Sequence, residues 1–247
     1  EFAVHLIEEL LNKLSYNLFI FPNFGKQTAS ELGGDNQAVT VGGVNENGTD
    51  ATNELTYVFF DAIKNIKSMT NSFSIRLHSK SSENYLEKAT EVISKTSGPA
   101  LFNDEIIIPA LIKSGIAQNA ARNYGIIGCV EPASCGNTFS CTSGNDISLV
   151  GVLEMALNNG KLKMMGKRTG IETGEADKFD SFEEVKKAFR LQLKKQVEFI
   201  AECVNLKDKV YMEKFHNPYI SLTLEGCLEN GLDMTQGGAK YNFASIS

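Results

Sequence analysis

Histidine is scarce in this 247-residue sequence: His5, His78 and His216 are the whole supply. Five cysteines are present, but no two form a Cys-x-x-Cys pair; Cys129, Cys135 and Cys141 recur every six residues, and Cys203 and Cys227 stand apart. Neither spacing suits a standard zinc or iron–sulfur set, so no metal site is expected. Gly-x-Gly-x-x-Gly and Walker patterns are missing, which removes a nucleotide cradle. Basic residues fall short of acidic ones, 24 against 30, for a net charge of −6. They are scattered apart from a small group between Lys161 and Arg168, so nucleic acid is not expected as a partner. No apolar run reaches the roughly 18–20 residues that a bilayer needs, so no membrane span is expected. An odd cysteine count without a signal peptide implies reduced thiols in a cytosol.

Hydrophobic residues make up 42% of the chain and charged residues 22%, a balance that supports a globular core. Phe2, Val4, Leu6, Ile7, Leu10, Leu11 and Leu14 recur at helical spacing, which predicts a helix over 2–15. Residues 21–50 read as loop, with a short strand at 37–43. Asp50 is expected to cap a helix over 51–66, with Leu55, Val58, Phe59, Ala62 and Ile66 inward. Phe73 to His78 alternates apolar and polar residues, as a half-buried strand does. Ser81 or Ser82 starts a further helix, and Ala100 to Phe102 forms a very short strand. Asp104 and Glu105 are expected to cap a helix that Pro109 bends or stops. A helical turn spans 118–123. Beyond it, 133–146 reads as loop, 147–158 as helix, 161–181 as polar connection, 182–203 as a long helix and 219–229 as a last one. Short strands alternating with helices indicate an α/β architecture with a largely parallel sheet. Glu1 stands inside a helical pattern without Met, and Ser247 follows no C-cap, so both ends read as cuts through a longer protein.

The chemistry-bearing stretch is Tyr124 to Pro132, Tyr-Gly-Ile-Ile-Gly-Cys-Val-Glu-Pro. In an extended chain, residues two apart share a face. Cys129 and Glu131 then project together, with Pro132 ending the strand. A thiol beside a carboxylate suits a nucleophile–base or radical–base pair; the same cysteine also suits a small core position. Arg76 and His78 end a predicted strand and read as structurally satisfied residues. Cys135 and Cys141 read as bystanders or pocket lining, and Cys227 as core.

Gly128-Cys129-Val130-Glu131-Pro132 resembles the cysteine loop of the glycyl radical enzymes, the pyruvate formate-lyase family, in its diol-dehydratase and choline-lyase branches. Supporting stretches lie in family order along the chain: Thr40-Val-Gly-Gly43, Gly48-Thr-Asp-Ala-Thr-Asn-Glu-Leu-Thr-Tyr57, Ser74-Ile-Arg-Leu-His78, Pro99-Ala-Leu-Phe-Asn-Asp-Glu105, Leu153-Glu-Met-Ala-Leu-Asn-Asn-Gly160 and Gly231-Leu-Asp-Met-Thr-Gln-Gly-Gly-Ala-Lys-Tyr-Asn-Phe243. The resemblance covers nearly all of this chain and only part of a family member. It implies that 1–247 is part of a ten-stranded α/β barrel surrounded by helices, with a finger loop carrying the cysteine inside, and without the family's N-terminal part and glycine radical domain. It also implies that Cys129 carries a thiyl radical and that Glu131 is the general base. The glycyl radical would lie outside this chain, since no Arg-Val-x-Gly-Tyr-like segment occurs in it; a radical SAM iron–sulfur activating enzyme would install it. No cofactor is then bound by these residues themselves. The implied partners are a small-molecule substrate, the activating enzyme and a second copy in a homodimer. The implied location is the cytoplasm, with a bacterial microcompartment as an option.

Departures from the family pattern narrow the expected reaction. Pyruvate formate-lyase carries two adjacent cysteines, whereas Gly128 precedes Cys129 here, which argues against acetyl transfer to coenzyme A. The Gly-Trp-His-Asp segment of glycerol and propanediol dehydratases aligns with Ser140-Cys141-Thr142-Ser143. Thr142 and Ser143 are therefore candidate substrate-binding hydroxyls, leaning toward the choline-lyase branch; they also suit a simple loop turn. The expected function is a glycyl radical eliminase that cleaves C–O or C–N in a small hydroxylated substrate. Alternatives are a radical arylacetate decarboxylase, a C–S lyase of the same family, or a catalytically silent paralogue acting as a scaffold.

Overall fold

The computed structural model describes residues 1–15, 38–66, 73–96, 98–128, 130–141 and 146–244. The expected loop therefore lies outside the described residues over 21–37. The chain divides into two compact units, Glu1–Gly136 and Asn137–Ser247.

In the first unit, α1 (Phe2–Ser15) precedes β1 (Val39–Gly42), α2 (Glu54–Ile66), β2 (Phe73–Leu77), α3 (Glu83–Thr96) and β3 (Ala100–Asn103). The strands form a parallel sheet in the order β1-β2-β3, with Gly42 opposite Arg76 and Arg76 opposite Phe102. Parallel neighbours need long crossovers, which α2 and α3 supply. Alternation then sorts the side chains. Val39, Val41, Phe73, Ile75 and Leu77 share one face and pack in a core with Leu11, Phe60, Ile63, Tyr85, Ala89 and Val92 from the three helices. Thr40, Ser74, Arg76, Ala100 and Phe102 fall on the other face by the same rule.

Several local expectations are corrected. β2 is buried on both faces through Arg76, because a segment about fifty residues later covers its polar side. α2 starts three residues late: Asn53, not Asp50, accepts from the Thr56 N–H (3.3 Å). Asp50 instead accepts from the Thr52 N–H (2.9 Å). The inward stripe shifts accordingly, leaving Leu55 exposed and Phe60 and Ile63 buried. Ser82 caps α3 by accepting from the Tyr85 N–H (3.2 Å), as expected. Helix α4 (Asp104–Lys113) runs through Pro109 rather than stopping there. The missing proline N–H deprives only the Glu105 carbonyl in the first turn, where Glu105 itself is exposed to water. The unit ends with α5 (Gln118–Arg122), β4 (Tyr124–Ile127) and β5 (Glu131–Ser134).

In the second unit, β6 (Thr138–Cys141) pairs in parallel with β9 (Tyr241–Ala244). β6 falls inside the expected 133–146 loop, and β5 runs into its start. These small, polar stretches carry no strand periodicity, and the partner that makes β6 a strand lies about a hundred residues away. Helix α6 (Leu149–Leu157), capped by Ser148, packs on α7 (Phe182–Lys214). α7 passes its expected end at Cys203 because no Gly or Pro follows until Pro218. Between them runs the short hairpin β7 (Lys161–Leu162) and β8 (Lys167–Arg168). The expected last helix is broken into α8 (Pro218–Ser221) and α9 (Cys227–Asn230). Gly226 makes the break: its φ is +102°, and a Cβ there would stand 2.7 Å from the Lys240 nitrogen. Cys227 is core, as expected. No helix among the described residues is long and apolar enough to cross a membrane.

Two polar hubs hold the loops of this unit. Gln192 is 0% exposed. Its amide donates to the Ile171 carbonyl (2.6 Å) and Thr173 Oγ1 (2.9 Å) and accepts from the Ile171 N–H (3.1 Å). Asp233 accepts from the N–H groups of Asn217 (2.8 Å) and Thr235 (3.0 Å) and from the hydroxyls of Ser221 (2.8 Å) and Thr235 (2.7 Å). Burial pushes the Asp233 carboxyl up, but the hydrogen bonds from Thr235, Ser221 and Asn217 outweigh it and hold the group at about 2.

Gln192→Leu strands both Ile171 backbone groups and is expected to cost about 2 kcal/mol, lowering the melting temperature by about 4–8 °C; an unchanged melt would remove Gln192 as a hub. For Asp233 the native carboxyl titrates below its ordinary 3.8. Its contribution is therefore present above about pH 4 and lost as the pH falls toward about 2. The difference in urea midpoint between the wild-type chain and Asp233→Asn is expected to shrink across that window, and a difference that stays constant would refute the assignment.

Candidate active site

The stretch from Tyr124 to Pro132 is not one strand. β4 ends at Ile127, Gly128 and Val130 are turn residues, and β5 returns antiparallel with Ile127 opposite Glu131 and Tyr124 opposite Ser134. Gly128 permits the turn, at φ +60°. Same-face alternation holds only within a continuous strand, so spacing alone does not put residues 129 and 131 on one face. Pro132 sits inside β5 rather than ending a strand, opposite Ile126. Proline brings no N–H to this pair, and the Ile126 N–H is engaged elsewhere, donating to Thr40 Oγ1 of β1 (3.0 Å).

Glu131 is half-buried, and its Oε2 accepts from the Val130 N–H at 2.7 Å. A Cβ on Gly128 would come within 3.1 Å of that oxygen. The carboxylate therefore curls back toward Val130 and Gly128, and glycine leaves it room. Cys129, Thr142 and Ser143 lie outside the described residues, so Glu131 alone of the expected site residues has a described position. Cys135 is tucked against Gly125, where an added Cβ would meet its sulfur at 3.0 Å. Burial of the sulfur pushes its thiol up, with the Arg76 charge opposing, although the residue as a whole is exposed. Among the described residues no His, Cys, Asp and Glu cluster could hold a metal ion.

The largest feature missed from sequence is a buried charge cluster at the root of this hairpin. Arg76 is 5% exposed and Asp104 2%. The guanidinium grips the carboxylate with two bonds, Nε to Oδ1 (3.0 Å) and Nη2 to Oδ2 (2.8 Å). It also donates from Nη1 to the Tyr124 carbonyl (3.0 Å) and from Nη2 to the Arg122 carbonyl (2.9 Å). The Tyr124 hydroxyl donates to Asp104 Oδ1 (2.7 Å), and the guanidinium carbon stands 3.9 Å from its ring centroid. Burial pushes the Tyr124 phenol well up, so it stays a donor. Asp104 also accepts from the Val44 N–H (2.9 Å).

Asp104 and Glu105 thus do not cap α4 as expected. Asn103 does, accepting from the Glu105 N–H (2.9 Å), while Glu105 accepts from the Ser79 N–H (2.6 Å). Arg76 and His78 are structurally satisfied as expected, each by a different carboxylate: His78 Nε2 faces Asp50 Oδ1 at 3.3 Å. A strand reading Ser-Ile-Arg-Leu-His with an acid after the next strand was the available signal; choosing Asp104 over its neighbours required the fold.

A family model described as pyruvate formate lyase-like matches residues 1–247. Among curated proteins, the chain is 30% identical to (2S)-3-sulfopropanediol dehydratase of Klebsiella oxytoca, over 98% of this chain and 29% of the relative. It is 34% identical to isethionate sulfite-lyase of Oleidesulfovibrio alaskensis, over 80% of this chain and 24% of the relative. Among solved structures, it resembles the glycerol-bound form of the B12-independent glycerol dehydratase from Clostridium butyricum. That match has a TM-score of 0.80 and 32% identity, over 91% of this chain and 29% of the other. The chain thus spans less than a third of the length of these relatives.

The charge cluster leaves no room beside it. A Cβ on Gly43, at φ +77°, would stand 2.5 Å from Arg76 Nε and 2.8 Å from Asp104 Oδ2. Gly43→Ala is therefore expected to destabilise by at least about 1–3 kcal/mol, read as a lower urea midpoint with an unchanged slope. An unshifted midpoint would show that the cluster tolerates displacement.

Proposed function

This chain belongs to the pyruvate formate lyase-like family, and on that premise we propose that it is part of a glycyl radical eliminase acting on a small hydroxylated molecule. The observation that carries the proposal is the placement of the β4–β5 hairpin. Helices cover one face of the β1–β3 sheet. The hairpin lies against the other, through Thr40, Arg76 and the contact of Ile126 and Tyr124 with Phe102. A sheet clad in helices outside, with a carboxylate-bearing hairpin on its inner face, suits the finger loop of a ten-stranded barrel. In this reading residues 1–247 are part of such a barrel within a longer polypeptide, consistent with the 29% and 24% shares of the curated relatives.

The glycyl radical, held outside these residues and installed by a radical SAM activating enzyme, supplies a hydrogen-atom acceptor. The Cys129 thiol gives up its hydrogen and, as a thiyl, takes one from the substrate carbon bearing a hydroxyl. Glu131 accepts the proton of that hydroxyl, which the neighbouring carbon radical acidifies, while the leaving group departs from the adjacent carbon. Cys129 then returns a hydrogen atom to the product radical. Glu131 suits this task because its carboxylate turns back to the Val130 N–H, the residue that follows Cys129 in sequence. Thr142 and Ser143 would orient the substrate by their hydroxyls. The bond broken is C–O or C–N, and a relative named for sulfite release brings C–S into the same class. The full-length protein would work as a cytoplasmic homodimer.

The test uses the full-length protein, activated without oxygen. Electron spin resonance should give a glycyl doublet, and a panel of diols, choline-like amines and sulfonates should yield a substrate. Cys129→Ala should abolish turnover, and Glu131→Gln should lower kcat by about 100-fold or more while leaving the doublet. Turnover that survives Cys129→Ala would overturn the proposal.

A further inference from the structure

The Arg76 guanidinium has the look of a substrate-binding group: a single arginine on the inner face of the sheet, close to the hairpin. Its hydrogen bonds exclude that role. Nε, Nη1 and Nη2 are all engaged by Asp104, Tyr124, Arg122 and, at 3.4 Å, the Val44 carbonyl. The side chain is buried, at 5% exposure.

We propose that Arg76 is instead a positioning residue: with Asp104 and Tyr124 it fixes the root of the β4–β5 hairpin and so sets where Glu131 and the two ends of the link between the strands, Gly128 and Val130, stand. Two of its three main-chain acceptors, Arg122 and Tyr124, are the last residue of α5 and the first of β4, so the guanidinium holds the point at which the hairpin leaves the helix. The carboxylate that orients it comes from the start of α4, directly after β3. Three successive strand ends and the hairpin root thereby meet at one planar group. On the returning strand, Ser134 donates to the Ala120 carbonyl (3.0 Å) and the Cys135 N–H to the Asn123 carbonyl (3.1 Å), so both legs of the hairpin are tied at the same level.

A lever argument gives the consequence. Four strand residues separate the root from the link, a span of about 12–14 Å. A rotation of about 5° at the root then moves the link by about 1 Å, a displacement that costs a positioned reaction about 100-fold. Lysine in place of Arg76 keeps the charge but has no planar fork, so it cannot hold the carboxylate and two divergent carbonyls together.

This inference rests on the eliminase reading only for its effect on turnover; the clamp itself is read separately, by hydrogen exchange. In the full-length Arg76→Lys protein, amides of 124–134 should exchange at least about tenfold faster, while those of β1 and β2 on the helix-clad side stay within about threefold of wild type. After activation the glycyl doublet should reach wild-type intensity. The kcat should fall by about 10–100-fold with KM within about threefold. If Arg76→Lys does not fold, Tyr124→Phe, which removes one hydrogen bond and no charge, should shift the same amides and kcat in the same direction by less. Hairpin amides that keep wild-type protection, or amides that loosen equally throughout, overturn the inference. Selective loosening of the hairpin combined with turnover that survives Cys129→Ala leaves the clamp standing and overturns the eliminase reading alone.

Discussion

A guanidinium buried to 5% exposure must have its hydrogens accepted, and the architecture of the first unit follows from that requirement. Desolvating the Arg76–Asp104 pair is costly, and such pairs add little net stability against an apolar replacement. What the pair does impose is geometry. Its two-bond grip fixes the plane of the guanidinium, and that plane selects the Tyr124 and Arg122 carbonyls as partners. The glycines at the end of β1 answer the same demand: side chains at Gly42 and Gly43 would collide with the Tyr85 hydroxyl and with the ion pair. The Tyr85 hydroxyl in turn donates to the Arg76 carbonyl (2.9 Å), joining the polar cluster to the helix-packed core.

The parallel sheet makes this arrangement possible. Strands linked by crossover helices are covered on one face by those helices, and the second face needs another cover. Here the cover is a hairpin rather than a second helical layer, laid across Thr40, Arg76 and Phe102. A hairpin presents its turn as well as its strands. Gly128, Val130 and the Glu131 carboxylate are thus carried by a short, braced element instead of a long free loop, which suits chemistry that tolerates little displacement. The second unit uses the same economy of polar groups at Gln192 and Asp233, each of which satisfies several loop donors or acceptors at once.

The helices of this chain were largely legible before folding. Apolar spacing located α1, α3, α6 and most of α7, and the alternation of strands and helices indicated a parallel α/β arrangement. Family membership was legible too, through ordered short motifs rather than through any single residue. The errors have a common cause. β6 is a strand because of β9, the polar face of β2 is buried because of β4, and Gly226 breaks a helix because the chain at Lys240 passes within 2.7 Å of where its Cβ would be. None of these partners lies within a local window.

Sequence by itself determined that a cysteine and a glutamate two residues apart follow a short apolar run, and that Arg76 and Asp104 are available ions. Only the tertiary structure decided that the run turns back at Gly128, that Glu131 curls over the turn, and that Arg76 is spent inside the protein. Spacing along a chain specifies direction only while the backbone conformation persists. A turn, or a partner brought from twenty-eight residues away as Asp104 is, resets it.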